Sequence, residues 1–338
     1  YYVADETVGA SDSNSGTLAQ PFKTLAKGVA VALANNYASI ATTIKIGPGT
    51  YRESLSLPVD FRDTSAAMVF EAITIGTAII SGSDIFTGWT PVGAYWTHAW
   101  PYDWGLATLP PFWVGNVTVT DIVRRREMVF VNGVRLKQVL TTGELTTNTF
   151  MVDEAANLIR IQPAVNPTTA LVEVAIRSGV LSVVTKQDVT IRGLVFQHDN
   201  TPLQGSAGTI DSCVNTLLED CQFLQNNWGG VSLLNDTTVT MRRNIFNYNG
   251  VVGFDTFKVR NITAEDNETS YNNWRGFLGG FLGWTAAGVK ILLAHGVTLL
   301  RHRSVNNQTR GLWLDTDCTN VTIDSAFVDG NLTDGIFL

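Results

Sequence analysis

From Val189 onward, apolar positions recur with a period too long for a single helix or strand. Segments beginning at Val189, Thr216, Val239, Ile262, Val297 and Val321 align at intervals of 27, 23, 23, 35 and 24 residues. Near the start of each, Ile191, Leu218, Met241, Ala264, Leu299 and Ile323 form one apolar column, and Phe196, Phe223, Phe246 and Val328 form another further on. Ten residues after each start stands Asp199, then Asn226, Asn249, Asn272, Asn307 and Asn331. Short alternating strands in so small a unit cannot bury their own apolar face, so successive units must stack into a solenoid. Equivalent Asn amides then hydrogen-bond from coil to coil, as in cross-β ladders, which makes that column structural.

A second strand follows a glycine in each unit: Gly230-Val-Ser-Leu-Leu, Gly253-Phe-Asp-Thr-Phe, Gly288-Val-Lys-Ile-Leu, Gly311-Leu-Trp-Leu-Asp and Gly335-Ile-Phe-Leu. Alternation with period two turns the first and third residues after the glycine inward and the second and fourth outward. One outward column is therefore Ser232, Asp255, Lys290, Trp313 and Phe337, and the next is Leu234, Phe257, Leu292 and Asp315. The 35-residue unit carries about a dozen extra residues, Trp274 to Ala287, which must leave the solenoid as a loop. Such a loop forms either one wall of a cleft or a packing flap.

The N-terminal region reads differently. Pro21 to Leu33 predicts an amphipathic helix that covers the open end of the solenoid, followed by strands at Thr43–Ile46 and Tyr51–Leu57. Between about Phe86 and Val180 the repeat vanishes, and stretches such as Met128–Val131 and Leu158–Ile161 alternate with turn residues, as expected of an inserted β domain. The expected division is a cap with first coils over 1–84, an inserted β-sandwich-like domain over 85–180, and a solenoid over 181–338 that is incomplete at its C-terminal end.

Composition agrees with an all-β chain: 45% hydrophobic, 16% charged and 30 glycines in 338 residues. A net charge of −7 argues against a nucleic-acid partner, and the only basic run, Arg124-Arg125-Arg126, reads as a solvated strand end. No apolar run is long enough to span a membrane, and the start at Tyr1 reads as a processed mature chain, secreted or at a cell surface. Sequons at Asn116, Asn235, Asn261, Asn267, Asn307, Asn320 and Asn331 either accept glycans or arise by accident where Asn-rich turns meet Thr. Cys213 and Cys221 are close enough in sequence to bridge, and Cys318 has no evident partner. His198, His295 and His302 lack metal-ligand spacing and read as surface or turn residues, and no Asp/Glu cluster suits calcium, so neither metal nor cofactor is expected.

Tyr2-Val3-Ala4, Asn14-Ser15-Gly16-Thr17, Pro21-Phe22 and Gly47-Pro48-Gly49-Thr50-Tyr51 together resemble the N-terminal cap of the pectate-lyase-like superfamily. That resemblance implies a right-handed parallel β-helix. Arg126 to Arg135, after Gly88-Trp89 and Trp96, resembles the β-sandwich inserted in family 120 glycoside hydrolases, the β-xylosidases, and Gly311 to Asp315 resembles the segment that bears their carboxylates. By that resemblance Asp315 is the nucleophile, and the acid/base falls at the position after Leu338. Residues one coil apart on an outward column lie roughly 5 Å apart, the carboxylate separation of retaining glycosidases, about 5–5.5 Å.

Three classes of function follow. The first is a retaining glycoside hydrolase acting on polysaccharide or oligosaccharide, with Asp315 catalytic and Trp313, Asp255, Lys290, Trp274 and Arg310 around the substrate. Within it, Trp313 is either a sugar-stacking platform or a residue packed beneath the 274–287 loop, and Asp255 and Lys290 most simply form a surface ion pair. The second is a polysaccharide lyase in which Lys290 takes the C5 proton of a uronate and Arg310 or a metal neutralises the carboxylate, though no Asp/Glu cluster suits calcium. The third is a non-catalytic adhesin or surface structural protein, capable of self-association.

Overall fold

The structure is a computed structural model and describes residues 1–5, 9–277 and 286–338. Its core is a parallel β-helix with three sheets, one strand of each sheet per coil. The first runs from Tyr2–Val3 through Thr42–Ile46, Met68–Ala72 and Gln187–Arg192 to Thr319–Asp324. The second runs from Leu55–Leu57 through Leu181–Val184, Ser206–Asp211, Gly229–Leu234, Val252–Phe257, Ala287–Leu292 and Arg310–Leu314 to Ile336–Phe337. The third runs from Gly49–Tyr51 to Phe327–Asp329. The expected right-handed parallel β-helix class holds.

The repeat register is the one the apolar columns require. Ile191, Leu218, Met241, Ala264, Leu299 and Ile323 pair successively. Phe196, Phe223 and Phe246 stack inside the coil with centroids 4.8 and 5.3 Å apart. The Asn column is a continuous ladder: Asn226 Nδ2 donates to Asn249 Oδ1 (3.0 Å), Asn249 to Asn272 (3.2 Å), Asn272 to Asn307 (2.9 Å) and Asn307 to Asn331 (2.8 Å). A shorter ladder stands at another turn, where Asn267 Oδ1 accepts from Asn244 Nδ2 (2.9 Å) and Asn244 Oδ1 from the Cys221 backbone N–H (2.9 Å). These bonds satisfy buried turn amides that the sheets leave unpaired.

At the N-terminal end the helix covers Leu25–Tyr37, starting later than its apolar pattern suggests because Thr24 caps it, its Oγ1 accepting the Lys27 N–H at 3.1 Å. Phe22 is bridged to Val3 instead. Gly28 allows the helix close to the sheet, since a Cβ there would lie 2.9 Å from Val3 Cγ2. The predicted strand Tyr51–Leu57 is broken into Gly49–Tyr51 and Leu55–Leu57, which belong to different sheets.

Ser83–Ile85, Val129–Val131, Val134–Arg135 and Val172–Ala175 form one sheet outside the coil. Thr90–Val92, Tyr95–Ala99, Lys137–Gln138, Thr149–Asp153 and Leu158–Gln162 form another. Trp89, Trp100, Val131, Phe150, Ile159 and Val172 fill a core between them, separate from that of the solenoid. The loop expected to leave the 35-residue unit is described at Trp274–Phe277 and from Ala286 on; its centre, 278–285, lies outside the described residues. Arg275, 6% exposed, ties it to the outer sheets: its guanidinium donates to Asn227 Oδ1 (2.6 Å), Gln138 Oε1 (2.7 Å), Glu127 O (3.0 Å) and Ile122 O (3.1 Å).

Several expectations need correction. Cys213, Cys221 and Cys318 are all free, because Cys213 and Cys221 head different turns of the coil. Burial pushes the Cys213 and Cys221 thiols up to about 11 and about 12. The Arg124–Arg126 run is not a solvated end, since Arg125 is buried against Glu127 (3.1 Å) and Glu154 (3.3 Å). His198 and His302 are buried, and burial pushes each imidazole down to about 3, so both are neutral hydrogen-bonding groups; His295 is exposed.

Candidate active site

The second sheet presents the outward column in the predicted order. Ser232 pairs with Asp255, Asp255 with Lys290, Lys290 with Trp313, and Trp313 with Phe337. Asp315 follows the last residue of the strand Arg310–Leu314, where its backbone N–H still bonds Ile291 O at 2.8 Å and fixes the carboxylate beside the preceding coil.

The expected surface pair of Asp255 and Lys290 is not the arrangement found. Lys290 is 2% exposed, and its Nζ lies 3.0 Å from Asp315 Oδ2 and 3.9 Å from the Trp313 ring centroid. Burial pushes the Lys290 ammonium down from its ordinary value, and the Asp315 carboxylate partly offsets this. Asp255 is half-buried and its Oδ1 accepts a 2.6 Å bond from Ser232 Oγ, which lies 2.9 Å from Ser206 Oγ. Burial dominates there, pushing the Asp255 carboxyl up to about 6 against Ser232 and the Lys290 charge.

Asp315 responds in the opposite sense. Burial raises it, but the Thr316 backbone N–H (2.8 Å) and Lys290 outweigh that and hold it below the usual carboxylate range. Its side chain keeps 22% exposure. The same face of the second sheet thus carries, two coils apart and in neighbouring columns, a carboxylate kept ionised and another whose proton is held up to about pH 6.

Trp313 does not offer a free face for sugar stacking. It is 2% exposed, with Lys290 over its ring, Arg310 Cζ 4.5 Å from its centroid and Phe337 edge-on at 5.6 Å. Whether it also packs beneath the 274–287 loop turns on residues 278–285, which lie outside the described residues. Arg310 also pairs with Asp334 (3.3 Å), so its charge is already balanced. Trp274 belongs elsewhere: it lies between the guanidinium groups of Arg135 (3.8 Å) and Arg275 (4.6 Å) and packs on Met128 and Phe130 of the outer sheets. Trp313, Asp315, Phe337 and Leu338 line a surface cavity at the last coil. Among the described residues no group of three or more His, Cys, Asp or Glu side chains could hold a metal, and no helix is long and apolar enough to cross a membrane.

Sequence reading placed Ser232 in the outward column without a role; its bond to Asp255 depends on side-chain direction. It missed the cavity where Glu127, Arg135 and Trp274 meet. That cavity joins residues 122–150 to Trp274 and Arg275, which are far apart in the chain, and no local pattern signals it.

A family model described as right handed beta helix region matches residues 209–338. No curated protein matches the chain. Among solved structures, XylC in complex with xylose superposes at a TM-score of 0.71 with 16% identity, covering 99% of this chain and 64% of XylC. A protein described as a glycoside hydrolase superposes at 0.57 with 10% identity, covering 99% of this chain and 96% of its own. The chain therefore spans 64% of the length of XylC, and at these identities the likeness establishes the common right-handed β-helix fold.

Proposed function

We propose that this chain is part of a glycoside hydrolase acting on polysaccharide or oligosaccharide, with Asp315 as its nucleophile. The carrying observation is the Lys290–Asp315 pair on the outer face of the second sheet: a partly exposed carboxylate, held ionised and fixed in direction. Solved proteins of the same fold that are described with xylose or as a glycoside hydrolase support the substrate class.

In this reading Asp315 attacks the anomeric carbon as the glycosidic bond breaks, and the leaving oxygen takes a proton from a second carboxylic acid. Water then cleaves the glycosyl–enzyme ester. Asp255 stands two coils from Asp315 and two residues off its register, about 12 Å at a strand spacing of ~4.8 Å and a rise of ~3.3 Å per residue, beyond the retaining separation. The register instead puts the position after Leu338 one coil beyond Asp315, which is where the resemblance to family 120 places the acid. Lys290 acts as a positioning residue. At 2% exposure and covered by Trp313, it is poorly placed to take a proton from a uronate, which weighs against the lyase reading. Polymeric glycans lie outside cells, so the proposal includes secretion or surface display.

The test is hydrolysis of an aryl β-xyloside and related aryl glycosides by the full-length natural protein and its Asp315→Asn variant. Loss of turnover with the fold retained supports the assignment. Equal turnover by the variant overturns it, and no turnover by the natural protein on any glycan offered favours the adhesin reading.

A further inference from the structure

At the corner where the second sheet turns into the first lies a pocket of about 330 Å³ lined by Lys258, Arg260, Leu293 and His295. Register builds it. Lys258 follows the strand Val252–Phe257, Arg260 opens the strand Arg260–Glu265, and Arg260 faces His295 on the next coil. Lys258 takes a left-handed φ of 56° at the corner, as Asn235 and Leu293 do on the neighbouring coils, and both its side chain and that of Arg260 are exposed. His295 is fixed in place: its Nε2 accepts from Asn320 Nδ2 (3.2 Å) and its Nδ1 meets Thr319 Oγ1 (2.6 Å), so its ring forms a wall.

The two cations lack counter-ions in a chain where acids outnumber bases. Every other Lys or Arg of residues 181–338 either pairs with a carboxylate or, as Arg275, is buried among hydrogen-bond acceptors. Among the described residues neither Lys258 nor Arg260 has an ion pair or a side-chain hydrogen bond; Lys258 Nζ only stands 5.0 Å from the Phe257 ring centroid. Asp317, exposed at the same corner one coil beyond Leu293, pairs with neither. A lone surface cation needs no partner, but two beside one concavity make a positively charged recess.

That recess abuts the candidate active site. The Leu293 N–H bonds Thr316 O at 3.0 Å, and Thr316 and Cys318 line the cavity beside Asp315. His295 stands three residues beyond Leu292, which flanks Asp315 in the preceding coil. The Cα atoms of His295 and Asp315 therefore lie within about 15 Å of each other, at a strand spacing of ~4.8 Å and a rise of ~3.3 Å per residue. A short oligosaccharide laid over the corner reaches both.

We propose that this pocket binds the anionic substituent of an acidic glycan, a carboxylate or a sulfate ester, with its oxygens on Lys258 Nζ and the Arg260 guanidinium. As a statement about substrate it rests on the reading of Asp315 as nucleophile, and it makes that substrate an acidic polysaccharide. A guanidinium takes an oxyanion through parallel bonds and an ammonium takes it as a point charge. Leu293 and the His295 ring offer apolar surface to the sugar's C–H face. A net charge of −7 repels an anionic polymer at long range, so local uncompensated cations are what would admit it.

The experiment is calorimetric titration of this chain with three oligosaccharides of equal length: an oligogalacturonide bearing only carboxylates, a sulfated dextran oligosaccharide bearing only sulfates, and a neutral xylo-oligosaccharide. At least one acidic oligosaccharide should bind about tenfold or more tightly than the neutral one, and which does so identifies the anion. Arg260→Gln should remove most of that preference and Lys258→Gln should reduce it several-fold; both side chains are exposed, so the fold is retained. Lys23→Gln, which makes the same change of net charge at an exposed site before the N-terminal helix, should leave the preference intact. The proposal is overturned if no acidic oligosaccharide binds better than the neutral one, if the double variant Lys258→Gln/Arg260→Gln keeps the preference, or if Lys23→Gln loses it equally. Binding without hydrolysis leaves the pocket standing and overturns only the role of Asp315; hydrolysis of neutral glycans without acidic preference does the reverse.

Discussion

Lys290 Nζ lies 3.0 Å from Asp315 Oδ2, joining two residues of adjacent coils that are not register partners: Lys290 faces Trp313, and Asp315 stands two positions further along the chain. The diagonal arises because Lys290 is long enough to cross the Trp313 ring and reach the end of the next strand. It places one buried cation against one partly exposed anion, whose ionised state it favours.

Lys290→Met removes that cation and should raise the Asp315 carboxyl from its depressed value. If Asp315 must be ionised for hydrolysis, the acid limb of the kcat/KM–pH profile moves to higher pH. An unmoved acid limb would separate Asp315 from the rate-determining ionisation.

Asp236 is fully buried; its Oδ1 accepts the Cys213 N–H at 2.8 Å, and its Oδ2 has no partner among the described residues. Burial pushes its carboxyl up to about 7. The folded state therefore holds the proton more tightly than the unfolded chain, so Asp236 costs stability progressively as pH rises from about 4 to 7. Asp236→Asn keeps the acceptor and supplies an amide, as Asn244 does for Cys221. It should stabilise the protein by up to about 4 kcal/mol at pH 8, at about 1.4 kcal/mol for each pKa unit between about 4 and about 7, and confer little below pH 4. Urea unfolding at the two pH values checks both the sign and the window.

Asn249 sits mid-ladder, its amide bonded to Asn226, Phe223 O and Asn272. Asn249→Ala leaves several buried groups unpaired and should cost about 3 kcal/mol, while Asn331→Ala, at a half-buried ladder end, should cost about 1 kcal/mol. Equal losses in thermal or chemical unfolding would argue against a continuous ladder.

The sequons divide by exposure. Asn116, Asn235, Asn261 and Asn320 are exposed, whereas Asn267 and Asn307 are 1% and 0% exposed and their amides serve the turn ladders. Peptide mass spectrometry after expression in a glycosylating host should find Asn267 and Asn307 unmodified, with any glycan on the exposed group. For the two buried positions, the reading of sequons as by-products of Asn-rich turns is the physically consistent one.

The sequence by itself determined the solenoid. A repeat of about 23 residues leaves stacking as the way to bury its apolar columns, and stacking fixes which residues become neighbours from coil to coil. That logic recovers the Asn226–Asn331 ladder and the column Ser232, Asp255, Lys290, Trp313, Phe337, because both depend on backbone register alone. Side-chain reach and burial needed the tertiary structure. Lys290 bypasses its registered neighbour Asp255 to pair with Asp315, Trp313 is covered by Arg310 and Phe337, and Trp274 turns to the outer sheets. The cavity around Arg135 was invisible for the same reason: its walls come from parts of the chain about 140 residues apart, and only the docking of the outer sheets on the solenoid brings them together.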